Sequence, residues 1–594
     1  MNAIALLGIG LAAFLAGYFF YSRYIAHHIY RLDPDFVTPS HELEDGVDYV
    51  PTNRHVLFGH HFTSVAGAAP IVGPAIAVIW GWLPAFLWVV LGTVFAGAVH
   101  DFGTLWISTR HKANSIGTLA AGIVGARARV LFLLIIFFLL LLVNAVFAVV
   151  ISNLFIANPG SVLPVWGSLV VAIVVGFLIY RSRVGLLWPS LGALLVLYLL
   201  IWLGQYAPFN LPDLFGFSPT AQQVASAQGD MAVAQAAARV DGVRTGWVIA
   251  LFVYAFVASV LPVWLLLQPR DYVNSHQLFV ALGIIFLGIL VTNPEIVAPA
   301  VNTHLPADAP SWFPLLFITI ACGAISGFHG LVASGTSSKQ LNKETDARYV
   351  GYGGAVGEGA LALTSIIATT AGFAMYVGVD GWHEHYGSWA SASAGATAAF
   401  VNGVGELAQG VGLPHDFAVI FAAVVVISFA ATTMDTGIRL QRYIIAELGA
   451  EYRVKVAQNR WFATLVAVVS CAILALGVDR GAGGMRLWPL FGTTNQLTGA
   501  LSLLVITLFL FRLRRRIWVT VIPMIFLLVM TTWAMALNLI RYATDSQVVL
   551  LGVGGMIFVL ELWLIFECVS AVREALRRRA GEKREQEAMA GLAD

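Results

Sequence analysis

The residues of this chain best suited to chemistry lie inside its most apolar stretches. His100-Asp101 ends the run Gly97-Ala98-Val99-His100-Asp101. Ser326 and His329 share a helical face at i, i+3 spacing, and Gly330 and Ser334 continue it towards Thr336. Glu358 stands among Gly351, Gly353, Gly354, Gly357 and Gly359. An ionisable side chain in a hydrocarbon setting is costly and by default marks an ion pathway. A histidine titrating near neutral pH suits proton coupling, and hydroxyl oxygens suit a hard cation such as Na⁺. The plainer reading of each residue is a hydrogen bond joining two helices. Asp101, His100, Ser326, His329, Ser334, Thr336 and Glu358 are therefore candidate ion-coupling residues. The ion would be H⁺ or Na⁺, with no cofactor, catalytic residue or metal site expected.

A second set of residues interrupts helices. Gly59-His60-His61-Phe62-Thr63-Ser64-Val65-Ala66-Gly67-Ala68-Ala69-Pro70-Ile71-Val72-Gly73-Pro74 puts two prolines and two glycines in mid-crossing. Proline removes a backbone donor and clashes with the preceding turn. Such backbone survives at membrane depth only where protein or a water-filled cavity satisfies it. Ala258-Ser259-Val260-Leu261-Pro262-Val263-Trp264, followed by Gln268-Pro269-Arg270-Asp271-Tyr272, reads as a second break. Gly67, Ala68, Ala69, Gly73, Ser259 and Trp264 are the candidate substrate-binding residues at these two interruptions. Helix-end dipoles there suit a carboxylate.

Positioning such residues requires a membrane. Of 594 residues, 59% are hydrophobic and only 11% charged, too few to cover several soluble domains. That excludes a soluble enzyme, a disordered chain and a nucleic-acid binder. At about 20 residues per crossing, the pattern predicts an all-α integral membrane protein of about 15–16 transmembrane helices. Alternating the loops puts 28 of the 33 Lys and Arg residues on one side. The positive-inside rule makes that side cytoplasmic, with the N-terminus outside and the C-terminus inside. The two breaks then run in opposite directions, five crossings apart, which is the pattern of an inverted-repeat transporter.

The organisation expected is an N-terminal helix and cytoplasmic loop (1–58), repeat one (59–204), an external loop (205–244) and repeat two (245–438). Within repeat two, about 390–412 forms an external or re-entrant helix. Accessory helices (439–571) and a basic, lipid-contacting tail (572–594) follow. The acidic cluster Glu42, Glu44, Asp45 and Asp48 reads as a solvated loop. Asp435 and Arg439 are spaced for an i, i+4 ion pair, and Arg110, Arg270 and Arg439 are possible structural partners of Asp101. Asn495-Gln496 could cap a helix or line a path. Glu561 and Glu567 read as helix contacts. Cys322, Cys471 and Cys568 are too widely spaced for a disulfide framework or a metal site. No zincin, nucleophile elbow or Walker lysine is present.

Several of these stretches resemble the carbon starvation protein A family of bacterial transporters. They are His60-His61-Phe62 with Ala66 to Pro74, Gly97 to Asp101, Leu261 to Tyr272, Ala324 to His329 with Ser334-Gly335-Thr336, Thr432 to Thr436, and Trp488 to Gly492 with Asn495-Gln496. Ala69 stands where the family pattern has glycine. The resemblance implies a multi-pass protein of the bacterial cytoplasmic membrane with a leucine-transporter-type 5+5 inverted repeat. It implies secondary transport of peptides, or alternatively proton-coupled uptake of pyruvate. A nutrient sensor or scaffold without transport is the reading from another class. Partners would be a small-molecule substrate and membrane lipid, with oligomeric state open.

Overall fold

The computed structural model describes residues 2–590 apart from 47, 183–186 and 263. Side chains of 179–182, 222, 479, 482, 575 and 578–590 also fall outside the description. Arg181, Arg183, Val263, Arg578 and Arg579, used in the charge and break readings, lie among these.

Helices are the regular structure of the described residues, and no strand occurs among them. Among the described residues thirteen helices are long and apolar enough to cross a membrane, or 14 if one pair bent by 49° is a single span. In chain order, α1 is Ala3–Tyr30, and α2 (Arg54–Val65) with α3 (Ala69–Trp80) is the bent pair. Then come α4 (Trp82–Arg110), the short α5 (Ile116–Ile123), α6 (Ala126–Ala157), α7 (Pro159–Leu178) and α8 (Leu187–Gly204). Next are α9 (Met231–Val260), α10 (Leu267–Thr292), α11 (Trp312–Thr319) and α12 (Gly327–Gly335). The chain continues with α13 (Glu344–His385), α14 (Trp389–Gly410), α15 (His415–Glu451) and α16 (Arg460–Gly477). Last are α17 (Gly483–Arg512), α18 (Trp518–Thr544) and α19 (Val548–Glu574). Large apolar side chains such as Phe20, Ile473, Val559 and Phe566 are exposed, as lipid-facing residues are.

Two sequence expectations change. Ser259–Pro262 does not interrupt a crossing. It closes the 30-residue α9, and α10 is a separate span beginning at Leu267. The second interruption is at 312–336, expected as one continuous helix. Here α11 and α12 are short and separated by non-helical 320–326, so neither spans alone.

The core is built around these interruptions. The long helices α6 and α15 pack together, α10 lies against α2, and α17 lies against both α11 and α12. α4 packs on α12, and α13 packs on α2. The glycines of α13 serve this packing: a side chain at Gly354 would meet His61, and one at Gly357 would meet Phe62. The 22-residue α14 is not among the spanning helices. Its first amides, Trp389 N and Ala390 N, donate to the Asp308 carboxylate at 2.9 and 3.1 Å.

Candidate functional site

At the first break, Ala66 leaves helical geometry at φ −77°, ψ 68°, and α3 starts at Ala69 with Pro70 in its first turn. Proline costs nothing there, because a first-turn N–H has no helical partner. Gly67, Ala68, Ala69 and Gly73 all lie at this break or in the turn after it. A Cβ at Gly73 would stand 2.5 Å from the carbonyl oxygen of Thr319, the last residue of α11. Only glycine lets the two breaks touch backbone to backbone.

The second break is satisfied from α17. Asn495 Nδ2 donates to Ala321 O and Ser326 Oγ at 3.0 Å each, and its Oδ1 accepts from Phe328 N at 3.0 Å. Gln496 Nε2 donates to Ile320 O at 3.1 Å, and Trp488 Nε1 to Thr319 O at 3.1 Å. Asn495 thus supplies the N-terminal cap of α12 that Ser326, at the N-cap position, does not. The tight turn at Gly323 has φ +85°, a left-handed conformation open to glycine.

Beside this break three helices contribute one polar cluster. His329 of α12 lies between two carboxylates: its Nδ1 bonds Asp101 Oδ2 of α4 at 2.8 Å. Its Nε2 stands 3.2 Å from Glu358 Oε2 of α13, out of line for a hydrogen bond. Asp101 Oδ1 takes a further bond from His100 Nδ1 at 2.7 Å. All four side chains are buried, and His329 Nε2, His100 Nε2 and Glu358 Oε1 have no hydrogen-bond partner. Two buried carboxylates around one imidazole are a site for a cation, since unpaired they would carry a large desolvation cost. Cys322 belongs to the same group: its Sγ, His329 and Glu358 offer ligand atoms within 4.8 Å of one another.

A second polar region links α2, α10 and α15. His60 Nδ1 is 2.9 Å from Asp271 Oδ2, and Ser64 Oγ donates to the same oxygen at 3.5 Å. Arg270 pairs with Asp435, and the Tyr254 hydroxyl donates to that carboxylate at 2.5 Å. The i, i+4 pair expected between Asp435 and Arg439 is replaced by this arrangement. Arg439 instead donates to Ala258 O and Leu261 O at 2.9 and 3.0 Å, and Arg442 to Ser259 O at 2.7 Å. Two guanidinium groups thus close the carbonyl end of α9. None of the three arginines weighed as partners pairs with Asp101, and Arg110 pairs with Glu344.

Two adjoining cavities open on the face where α2 begins. One of about 510 Å³ is lined by Tyr49, Asn114, Ser334, Lys339 and Glu447. A recess of about 40 Å³ shares Lys339 with it and reaches His60, Ser64, Thr336, Thr436 and Arg439.

The candidates therefore separate into groups. His100, Asp101, His329 and Glu358 come together, with Ser326 joined through Asn495. Ser334 serves locally: its Oγ donates to Gly330 O at 2.6 Å and accepts from Ile116 N at 3.1 Å. Thr336 lines the recess. Ser259 is buried at the end of α9, and Trp264 lies in the connection beyond it, its ring 6.2 Å from that of Phe177. Asp271 and Cys322 were not singled out as site residues. Nothing in their spacing relates Asp271 to His60, or Cys322 to Glu358, because each pair joins helices distant in sequence.

The family model described as carbon starvation protein CstA matches residues 2–534. The pyruvate/proton symporter BtsT of Escherichia coli is 32% identical over 627 residues, covering 92% of this chain and 83% of that protein. The peptide transporter CstA of Mycobacterium tuberculosis is 34% identical over 597 residues, covering 90% of this chain and 75% of that protein. That of Bacillus subtilis is 32% identical over 567 residues, covering 90% of each. Among solved structures, a manganese transporter of Eremococcus coleocola aligns with a TM-score of 0.42 at 13% identity, covering 89% of this chain and 99% of that one. By the family match and these relatives, the chain belongs to the carbon starvation protein CstA family.

Proposed function

We propose that this protein is a secondary active transporter that takes up a small carboxylate-bearing nutrient together with protons. The observation that carries the reading is His329 held between Asp101 and Glu358, buried beside a helix break and joining three helices. A proton on His329 would neutralise one of two buried negative charges, and its loss would change how α4, α12 and α13 attract each other. That is a coupling of ion occupancy to helix arrangement. The imidazole between the carboxylates favours H⁺ over Na⁺, which prefers an all-oxygen shell.

The packing supports an inverted repeat with boundaries revised from 59–204 and 245–438. The broken helix α2–α3, then α4, α6, α9 and α10, would form one repeat, with the α7–α8 hairpin inserted. The broken helix α11–α12, then α13, α15, α16 and α17, would form the other. Contacts pair off under this scheme: α10 on α2 mirrors α17 on α12, α13 on α2 mirrors α4 on α12, and α9 on α15 mirrors α16 on α6. The short α5 and the non-spanning α14 stand at equivalent places. The positive-inside count supports a cytoplasmic opening for the cavities at α2's starting face, in a bacterial inner membrane.

His60, Lys339 and Arg439 around the recess suit a carboxylate. The larger cavity lies within the ordinary size range of ligand sites. Pyruvate and short peptides share the carboxylate, and the relatives' names include both. Uptake of labelled pyruvate and of a tripeptide into proteoliposomes, with and without an imposed pH gradient, tests the proposal. Accumulation of either above equilibrium only with the gradient is expected. Equilibration regardless of the gradient would indicate a channel, and binding without uptake a sensor.

A further inference from the structure

The Cys322, His329 and Glu358 cluster has the composition of a transition-metal centre. A soft thiolate, a borderline imidazole and a hard carboxylate make the mixed ligand set that the borderline Zn²⁺ and its chemical neighbours accept. In a tetrahedral zinc site, ligand atoms stand roughly 3.3–3.8 Å apart, given metal–ligand bonds of about 2.0–2.3 Å. His329 Nε2 and Glu358 Oε2 are already 3.2 Å apart, and all three ligand atoms lie within 4.8 Å of one another.

The surroundings are those of a metal ligand shell. Metal-binding histidines almost always give their other ring N–H to a carboxylate, a backbone carbonyl or water, which fixes the tautomer and raises basicity. His329 Nδ1 does this to Asp101 at 2.8 Å, and Asp101 is itself held by His100 at 2.7 Å. The Asn495 amide directs an N–H at Cys322 Sγ from 3.4 Å. His329 Nε2 and Glu358 Oε1 are buried atoms with no hydrogen-bond partner. The exposures of Cys322, His329 and Glu358 are 5%, 1% and 2%, so bulk water does not satisfy these atoms.

We propose that Cys322, His329 and Glu358 form a binding site for a divalent transition-metal ion of the Zn²⁺ class, supplying three of its ligands. Binding forms a sulfur–metal bond as the thiol proton leaves for solvent, so protons are released as metal is taken up. Occupancy also fills the nitrogen that would carry the coupling proton, so the ion blocks gradient-driven uptake. That second consequence rests on the proton-coupling reading, whereas the binding itself does not.

The test uses the purified full-length protein, stripped with chelator and titrated with Co²⁺ as the spectroscopic probe. One equivalent of Co²⁺ is expected to give a near-ultraviolet thiolate-to-cobalt charge-transfer band that Zn²⁺ bleaches. The band should vanish in Cys322→Ser and persist in Cys471→Ser and Cys568→Ser. Cys322→Ala guards against a fold-specific defect, with unchanged thermal unfolding as the criterion. In proteoliposomes, micromolar Zn²⁺ should inhibit the unmodified protein, and the fraction of each protein's own uptake lost to Zn²⁺ should fall sharply in Cys322→Ser. Absence of the band, or a band that survives Cys322→Ser, would overturn the site. A band that follows Cys322 without inhibition by Zn²⁺ would uphold the site and overturn the coupling role of His329.

Discussion

His329 Nδ1 lies 2.8 Å from Asp101 Oδ2, a contact between residues 228 positions apart that ties the second helix break to α4. Because the imidazole also faces Glu358, its protonation state sets the net charge of the whole cluster. His329→Ala should abolish accumulation of substrate driven by a pH gradient. Downhill exchange of substrate across the membrane should be reduced less. Parallel accumulation and counterflow assays check this, and normal accumulation would remove His329 from coupling. Asp101→Asn keeps the shape and loses the charge, so its defect should be smaller than that of His329→Ala.

Buried ion pairs make a sharper stability prediction. Arg270 and Asp435 are 2% and 1% exposed, and Tyr254 completes their network. Removing one partner strands the other charge at membrane depth. Asp435→Asn should therefore cost about 3–5 kcal/mol. Replacing both with apolar residues, Arg270→Met with Asp435→Leu, should recover much of that loss. Thermal unfolding in detergent measures both, and equal destabilisation by the single and double variants would contradict the pairing.

These same buried polar residues explain what was legible in the sequence. Asp101, His329 and Glu358 stood out because each is an ionisable group in an apolar run. Their convergence did not, since it depends on three helices distant in sequence. The error at Ser259–Pro262 has the same root. The start of α9 carries Asp241 and Arg244, and the start of α10 carries Arg270, Asp271 and His276, so hydropathy shortened both helices. In the fold Asp241 and Arg244 bond each other at 2.5 Å, and Arg270 pairs with Asp435, so those charges are neutralised within helices. Conversely, 312–336 is apolar enough to look like a continuous crossing. What interrupts it, the side chains of Asn495 and Gln496, comes from another part of the chain.

The connection between α10 and α11 offers a pH test. Partial burial pulls the Asp308 carboxyl up, but the N–H groups of Trp389 and Ala390 and the nearby Arg541 more than offset it, so it sits below its ordinary value. A lowered carboxylate stabilises the fold above its ordinary range, and that stabilisation is lost as pH falls through the lowered value. Asp308→Ala should therefore speed hydrogen exchange at Trp389 and Ala390 at neutral pH. The contrast with the unmodified protein should shrink on acidification. A pH-independent contrast would mean that the carboxylate charge is not what holds the start of α14.

Asn495 satisfies backbone groups on both sides of the second break. Its amide donates to Ala321 O and Ser326 Oγ and accepts from Phe328 N. Leu fills a similar volume and offers no polar atom. Asn495→Leu would leave the Phe328 amide and the Ala321 carbonyl without these bonds, at a cost of about 1–3 kcal/mol per buried group. Asn495→Asp would keep the acceptor and lose the donor while adding a negative charge beside Cys322. The order of uptake should be unmodified protein, then Asn495→Asp or Asn495→Leu well below it, with Asn495→Gln partly restored if its longer amide still reaches the break. Full activity in Asn495→Leu would mean that the break holds its shape without α17, and that the cluster around His329 is positioned by α4 and α13 alone.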